Sequence, residues 1–465
     1  MSKVPHPDET DVKELNLSID LCLRIGEMLL SNGAGAADVT ATMRAVAQHL
    51  GLRHHIDIDV TFTQVSMSYQ YDPSEPTLVM IRQVYQRTID YDDVTKVDHL
   101  VRDLLAGELD LYLARNRMAT IVSVGPSTPR WAISVATGVT GASVGLFLGG
   151  DWLVVTVAFV AAVLIDRIQL VLAKQRLPNF YLQVVGGVVA SLIAVAVAAT
   201  PLDADPSLVV TANIIILLAG IGFMGALQDA LSGFYLTGTA RITEAMMATV
   251  GIVAGVSGGL SFGKLIGVDI GRYEPGLSGW QDIGVLVLGS ALCAAAFAFS
   301  VYAPRRSLLP IAAIGGVAAA IYRLVVDTGL DRPWAAAGAA LAIGLVAYAV
   351  AGRVRVPPLV VVVPAVVPLL PGLSIYRGLS LLTQEGASTS EGLLAMATAG
   401  SVALALASGV ILGEFVAQPV KREARRLEQR LAGPRLVGVF RPRSRASERE
   451  RRRRRRDEGS VVEEL

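Results

Sequence analysis

Three ionisable residues interrupt an apolar stretch near the middle of the chain. Asp229, Arg241 and Glu244 lie within or just after a glycine-rich segment at 219–233. Glycines of this kind let helices approach closely in a membrane, and the charges are then hydrated at its surface. Ionisable groups at such depth also mark the paths of transported ions and substrates. These residues are therefore candidates for substrate binding or proton coupling, with Gln228 as a weaker one.

A second unusual segment lies further along, where prolines crowd an apolar stretch. Pro368, Pro371 and Gly372 are followed by Tyr376. Proline and glycine free backbone groups at membrane depth, which is tolerated only against protein or a water-filled site. Bare backbone suits a zwitterionic substrate, because amides bind its carboxylate and carbonyls bind its ammonium. A kinked helix that only packs is the alternative.

Ten apolar segments carry these residues, and most are long enough to cross a bilayer core of about 30 Å as helices. The ninth holds five prolines and cannot be one straight helix. Asp166 and Arg167 interrupt the second, and we favour an interfacial turn there over a buried ion pair. Asp166, and Asn213 in the fourth segment, are weaker site candidates. The segments lie near 131–150, 152–172, 180–200, 207–227, 244–263, 283–303, 307–325, 333–351, 357–373 and 392–413.

Composition rules out a single soluble domain. The chain has 465 residues, 52% of them apolar, and a mean hydropathy of +0.52. Residues 131–420 carry 13 basic and 14 acidic residues, whereas the much shorter 1–130 carries 12 and 18 and the 45-residue 421–465 carries 16 and 8. We predict a cytoplasmic domain at 1–122, a linker at 123–130, membrane halves at 131–270 and 271–418, and a disordered basic tail at 419–465.

The first 122 residues have the pattern of a small α+β domain. Helical periodicity covers 11–31 and 36–50, and a helix at 93–106 is followed by another that runs to about 118. Apolar and polar residues alternate over 56–69, which predicts one half-buried strand, and a second strand follows at 77–88. The N-terminus lacks the apolar core of a signal peptide, so this domain is expected to stay in the cytoplasm.

Loop charges give the orientation of the ten segments. With the front domain inside, the inner loops hold seven basic residues: Lys174, Arg176, Arg241, Arg305, Arg306, Arg353 and Arg355. This fits the positive-inside rule and places both termini in the cytoplasm. The tail, with six arginines at 451–456, is expected near anionic lipid headgroups rather than on nucleic acid.

The two unusual segments occupy corresponding places before the fifth and tenth apolar segments. An offset of 147 residues aligns Gly225 with Gly372 and Glu244 with Glu391. Five segments per half would make the halves inverted, and interrupted helices at matching positions are typical of transporters. Glu391 therefore joins the candidate residues.

Other chemistry finds little support. The two cysteines, Cys22 and Cys293, form no metal-ligand pattern, and the sequence predicts no metal or other cofactor. Ser66, His99 and Asp103 supply the residue types of a catalytic triad, but no nucleophile motif surrounds a serine. The sequence also lacks the loop of an ATP-hydrolysing protein.

The sequence resembles the bacterial threonine/serine exporter family over about 15–415. The front domain carries the family's opening at 30–34 and 50–51, and Phe62-Thr63 and 82–84 match its strand region. The membrane part carries Asp229, Ser232-Gly233, Arg241 and Glu244-Ala245, then Pro368, Pro371-Gly372 and Tyr376. The chain departs from the family at 222–225, where members often have Pro-Gly. The resemblance implies proton-driven export of threonine and serine by ten spans behind a cytoplasmic domain.

We therefore expect a membrane all-α transporter of about ten helices in two five-helix inverted repeats, preceded by a small cytoplasmic α+β domain. Its expected partners are threonine, serine, protons and the lipid bilayer of the cell membrane, and assembly with further copies is left open. Asp229 and Glu244 are the expected proton carriers, and Arg241 is their partner or a carboxylate clamp. The alternatives are an exporter of small dicarboxylates such as succinate, a membrane-anchored enzyme acting through the N-terminal domain, and a membrane scaffold.

Overall fold

The computed structural model describes most of the chain. The described residues are 9–52, 55–70, 76–85, 88–125, 128–200, 206–217, 220–268, 281–371, 374–375, 377–378, 381 and 389–431. Gly372, Tyr376 and residues 432–465 of the basic tail lie outside them. Residues up to Ala417 form one compact unit, so the front domain and the membrane helices pack together, and Gln418–Leu465 form a second unit.

The front of the chain folds as four helices and a three-stranded sheet. The helices are α1 (Glu9–Ser31), α2 (Ala36–His49), α3 (Tyr91–Ala106) and α4 (Leu111–Ser123). The strands are β1 (Ile56–Val60), β2 (Gln64–Tyr69) and β3 (Leu78–Gln83), antiparallel in the order β1-β2-β3. Val65, Met67 and Tyr69 of β2 are buried.

The prediction of one strand over 56–69 was wrong, because the chain reverses at residues 61–63. The Thr61 N–H donates to the Gln64 carbonyl oxygen at 2.9 Å, and Val60 pairs with Val65 across the new hairpin. Thr61, Phe62 and Thr63 all favour extended backbone, so the alternating pattern continues through the turn and conceals it.

The rest of the described chain is helical. The helices are α5 (Arg130–Phe147), α6 (Trp152–Lys174), α7 (Asn179–Ala198), α8 (Pro206–Leu217), α9 (Gly220–Leu231), α10 (Tyr235–Leu265), α11 (Gln281–Ser300), α12 (Arg305–Asp327), α13 (Arg332–Val354), α14 (Pro358–Val366), a 3-10 turn (Val367–Leu369) and α15 (Thr389–Leu431). The last helix reaches into the predicted tail.

Eight helices of the described chain are long and apolar enough to cross a membrane, by length and composition. They are Trp152–Lys174, Asn179–Ala198, Leu208–Leu231, Tyr235–Leu265, Ile283–Ser300, Arg305–Asp327, Arg332–Val354 and Ser390–Ala417. At 1.5 Å per residue, the nine residues of α14 are too short to cross, as the prolines of the ninth segment predicted. Residues Val360–Val366 are buried, so α14 is enclosed by protein.

The predicted interfacial turn at Asp166 was wrong, because α6 continues without interruption to Lys174. The Asp166 carboxylate accepts hydrogen bonds from Arg130 Nη2 at 2.6 Å and from Ser134 Oγ at 2.5 Å. An acidic side chain paired in this way can remain inside a helical bundle.

Two helix crossings use glycine at corresponding places. Where α7 meets α10, a Cβ at Gly187 would lie 2.7 Å from the Ile252 carbonyl oxygen. Where α13 meets α15, a Cβ at Gly344 would lie 2.5 Å from the Val410 carbonyl oxygen. Gly187 and Ile252 match Gly344 and Val410 at offsets of 157 and 158 residues. A second set of contacts matches at the same offsets. A Cβ at Gly251 would lie 2.7 Å from the Phe180 carbonyl oxygen, and a Cβ at Gly409 would lie 2.7 Å from the Ala337 carbonyl oxygen. Both crossings therefore require bare backbone.

Candidate functional site

Asp229 and Arg241 meet where α9 turns into α10. The turn is made possible by Gly233, whose φ of +92° is left-handed. Asp229 Oδ2 then lies 3.0 Å from Arg241 Nη1, and the two side chains are 2% and 11% exposed. The structure thus brings together two of the three ionisable residues that the sequence singled out.

The same pair binds the front domain at the start of α2. The N-cap position of α2 is Gly35, which has no side chain to accept a hydrogen bond from the first turn. Asp229 Oδ1 accepts instead from the Ala36 N–H at 2.8 Å, and Arg241 Nη2 donates to the Ala34 carbonyl oxygen at 2.9 Å. A carboxylate at a helix N-terminus also interacts favourably with the helix dipole.

Further contacts fix the front domain to the membrane helices. Thr237 Oγ1 donates to the Val60 carbonyl oxygen, and the Tyr91 N–H donates to the Val301 carbonyl oxygen, both at 2.9 Å. His99 Nε2 lies 3.0 Å from the Arg355 carbonyl oxygen. These contacts lie in or near the connections that follow α9, α11 and α13.

Two more carboxylates lie close to this contact. Asp38 lies in the first turn of α2, where its side chain still reaches solvent although protein surrounds most of it. This partial desolvation raises its pKa, and the charge of Asp229 raises it further. Glu414 on α15 is near enough for its charge to interact with that of Asp38. The sequence reading missed both residues, although Glu414 is an isolated acidic residue at the end of the tenth apolar segment.

Several other candidates are less buried than Asp229 or lie outside the described residues. Glu244 on α10 and Glu391 on α15 are exposed, and Gln228 on α9 is half-buried. Gly372 and Tyr376 fall outside the described residues. Glu244 therefore does not share the buried environment of Asp229.

The broken ninth segment lines a cavity of about 190 Å³ in the second membrane half. After α14 the chain forms the 3-10 turn and then extends at Leu370. Pro368 and Pro371 face the cavity together with Arg332 and Tyr322. Arg332 and Tyr322 supply hydrogen-bond donors, so the cavity can receive an anionic group.

A smaller cavity of about 110 Å³ lies in the first membrane half. Its wall carries the polar side chains of Asp166, Gln183 and Asn213, from α6, α7 and α8. Asn213 is fully buried, and its Oδ1 has no hydrogen-bond partner within the described residues. The sequence named Asp166 and Asn213 only as weak candidates, and the structure places them in one cavity.

The two cavities are lined by corresponding positions. An offset of 153 residues carries Thr137, Asp166, Gln169 and Leu217 of the first cavity onto Ser290, Ala319, Tyr322 and Leu370 of the second. The same offset carries the bounds of α6, Trp152–Lys174, onto those of α12, Arg305–Asp327. It differs from the 147 residues that the sequence suggested.

The residues of the hypothetical triad do not meet. Ser66 Oγ donates to the Asp59 carbonyl oxygen, and Asp103 pairs with Arg117 at 2.6 Å. His99 contacts the Arg355 carbonyl oxygen, as described above. Within the described residues there is also no group of three or more metal-ligating side chains that could hold an ion.

Comparison with known proteins gives two matching family descriptions. Residues 20–263 match "Putative threonine/serine exporter", and residues 286–416 match "Threonine/Serine exporter, ThrE". The chain is 32% identical over 426 residues to the probable threonine/serine exporter of Mycobacterium tuberculosis, covering 90% of this chain and 80% of the relative. It is 31% identical over 425 residues to the threonine/serine exporter of Corynebacterium glutamicum, covering 90% and 86%.

A more distant similarity covers about half of the chain. The probable succinate transporter subunit YjjP of Escherichia coli is 24% identical over 239 residues, which are 51% of this chain and 91% of the relative. No solved structure matches the chain.

Proposed function

The chain belongs to the threonine/serine exporter family, and we propose that it exports threonine and serine across the cell membrane, driven by the proton gradient. The observation that carries the proposal is its similarity over 90% of its length to two proteins named as threonine/serine exporters. The polar cavity within the membrane helices supports it, because a transporter needs a polar site inside an apolar body.

The proposed arrangement has ten membrane segments in two inverted halves, with both termini in the cytoplasm. The eight long helices are joined by α5 and by the broken segment that begins with α14. Support comes from the matching glycine crossings and from the matching cavity walls. In this arrangement the first-half cavity opens towards the cytoplasm and the second-half cavity opens outwards, which suits alternating access.

We assign proton coupling to Asp229. It is buried, it pairs with Arg241, and it lies at the membrane end nearest the front domain. Protonation would remove its charge, release Arg241 and weaken the contact with α2. Such a change links proton binding to movement of the front domain. Glu244 is the less favoured carrier because it is exposed.

The other proposed features concern surroundings and chemistry. The chain acts without a cofactor and is not an enzyme, and its relatives are named as transporters. Its basic tail lies near anionic headgroups, it does not bind nucleic acid, and it can assemble with further copies. Succinate export is a second candidate, favoured only by the distant succinate transporter subunit.

Flux from liposomes that contain the purified full-length protein tests the function. The vesicles are loaded with labelled threonine, serine or succinate, and the outside is made acidic. We expect rapid efflux of threonine and serine that a protonophore abolishes, and slow efflux of succinate. If only succinate shows gradient-driven flux, the substrate is succinate and not threonine or serine. An enzyme or a scaffold predicts no gradient-driven flux of any of the three.

A further inference from the structure

The first-half cavity contains an acceptor that the protein itself leaves unused. Asn213 Nδ2 donates to the Val209 carbonyl oxygen at 2.8 Å, one turn earlier on α8. If the amide were turned over, its oxygen would face the Val209 carbonyl oxygen. The hydrogen bond therefore fixes which atom of the amide is the nitrogen and which is the oxygen, Oδ1. That oxygen is fully buried and has no partner within the described residues. A buried acceptor without a partner is costly, so it marks a place where a donor binds.

Two further acceptors belong to the same cavity wall. Gln183 Oε1 is also buried without a partner in the described part of the chain. Asp166 is held by Arg130 and Ser134, and a carboxylate has about four lone-pair sites, so it can accept another hydrogen bond. The three acceptors come from three different helices, and all three side chains line the same cavity.

We propose that this cavity binds the primary ammonium group of the exported amino acid, through Asn213 Oδ1, Gln183 Oε1 and Asp166. An ammonium group has three hydrogens to donate, and these three side chains supply one acceptor each. Because Arg130 already balances the charge of Asp166, the site suits a zwitterion better than a bare metal cation. The inference rests on the proposed function and deepens it, since succinate has no ammonium group.

The second-half cavity differs at the decisive position. Ala319 stands where Asp166 stands in the first half, and Tyr322 stands where Gln169 stands. Arg332 adds a positive charge there. An ammonium group is therefore expected in the first-half cavity and not in its counterpart.

Exchange of labelled threonine across liposome membranes, without a gradient, tests the proposal. Asn213→Leu removes the acceptor and keeps a similar volume. We expect its KM for threonine to rise by about tenfold or more, because a hydrogen bond to a charged group is lost. Gln183→Leu should raise the KM less. Thr249→Val is the matched control, because the Thr249 hydroxyl is buried in α10 but bonds only its own helix.

Competition and thermal stability complete the test. Excess serine should inhibit wild-type exchange, whereas 3-hydroxybutyrate, which is threonine without its amino group, should not. If the cavity holds only water, Asn213→Leu will raise the Tm and leave the KM unchanged, which overturns the proposal. Inhibition by sodium ions that Asn213→Leu abolishes would instead assign the cavity to a metal cation. If Asn213→Leu does not fold, Gln183→Leu decides.

Threonine exchange and threonine binding at the ammonium site can be tested separately. A wild-type protein that exchanges no threonine overturns the function. The purified proteins are then compared by the Tm shift that threonine and 3-hydroxybutyrate produce. A shift by threonine alone that Asn213→Leu loses supports the ammonium site, and equal shifts in both proteins overturn it.

Discussion

In the first membrane half α7 and α10 cross at Gly187 and Gly251, as α13 and α15 cross in the second half at Gly344 and Gly409. The cavities beside these crossings differ in chemistry. The first presents the acceptors of Asp166 and Asn213, and the second presents the donors of Arg332 and Tyr322. The comparison teaches that close backbone approach restricts both halves equally, whereas the cavity side chains are free to differ.

The largest expected effect comes from breaking either crossing. Gly251→Leu in the first half and Gly409→Leu in the second should both destabilise the protein by about 1–3 kcal/mol or more, because each side chain meets a backbone carbonyl. Gly258→Leu on α10 and Gly400→Leu on α15 are the controls, because a Cβ at either position meets nothing within 4 Å. Thermal unfolding in detergent measures the loss. If the protein tolerates only one of Gly251→Leu and Gly409→Leu, the two crossings are not equivalent.

The second-largest effect is expected from loss of proton coupling, which should follow a change in the first half and not one in the second. Asp229→Asn should abolish gradient-driven export and still allow threonine exchange without a gradient, because binding survives while proton release is lost. Glu391→Gln, at an exposed site in the second half, should keep the response to the gradient. Flux from liposomes at several imposed gradients measures both. A full response from Asp229→Asn would move the coupling site elsewhere, with Glu244 as the next residue to test.

The broken segment of the second half should matter to a smaller extent. Pro371→Ala restores a backbone amide, and Gly372→Leu fills space near the break, so each should lower the export rate while the protein remains inserted. Pro310→Ala is the control, because Pro310 lies inside the continuous helix α12 of the same half. Normal export by both variants would reduce the break to a packing feature.

The smallest effect is expected at Asp38, whose charge interacts with that of Asp229 in the first half and with that of Glu414 in the second. Its pKa is raised in the folded protein, so the folded protein binds a proton more readily than the unfolded chain. Falling pH should therefore stabilise the wild type relative to Asp38→Asn, and rising pH should remove that advantage. Tm values measured from about pH 4 upwards, where an ordinary aspartate begins to ionise, measure the difference. Identical pH profiles would show that Asp38 does not titrate in this range.

The sequence predicted features that depend on local order. The helix expected at 36–50 is α2, Ala36–His49, because apolar periodicity and Gly51 are local signals. The prolines of the ninth segment predicted the end of α14 for the same reason. The hairpin at 61–63 was missed, because its residues keep the pattern of a strand.

Contacts between distant residues were beyond a single sequence. The hydrogen bond from the Ala36 N–H to Asp229 joins positions 193 residues apart, and no periodicity reports it. Asn213 was only a weaker candidate in the sequence, and its unused oxygen appears only when the hydrogen bonds are counted. The offset of 147 residues followed sequence identity, whereas the offset of 153 follows the helix bounds.

Side-specific labelling of the two corresponding cavity positions tests whether the two halves open to opposite faces of the membrane. Thr137→Cys and Ser290→Cys are made singly in a chain whose two buried cysteines, Cys22 and Cys293, are replaced by alanine. The account predicts that Thr137→Cys reacts from the cytoplasmic face and Ser290→Cys from outside. Threonine with a proton gradient should shift the two labelling rates in opposite directions, and 3-hydroxybutyrate should not. Labelling of both cysteines from one face, or parallel shifts with threonine, would contradict alternating access by two inverted halves.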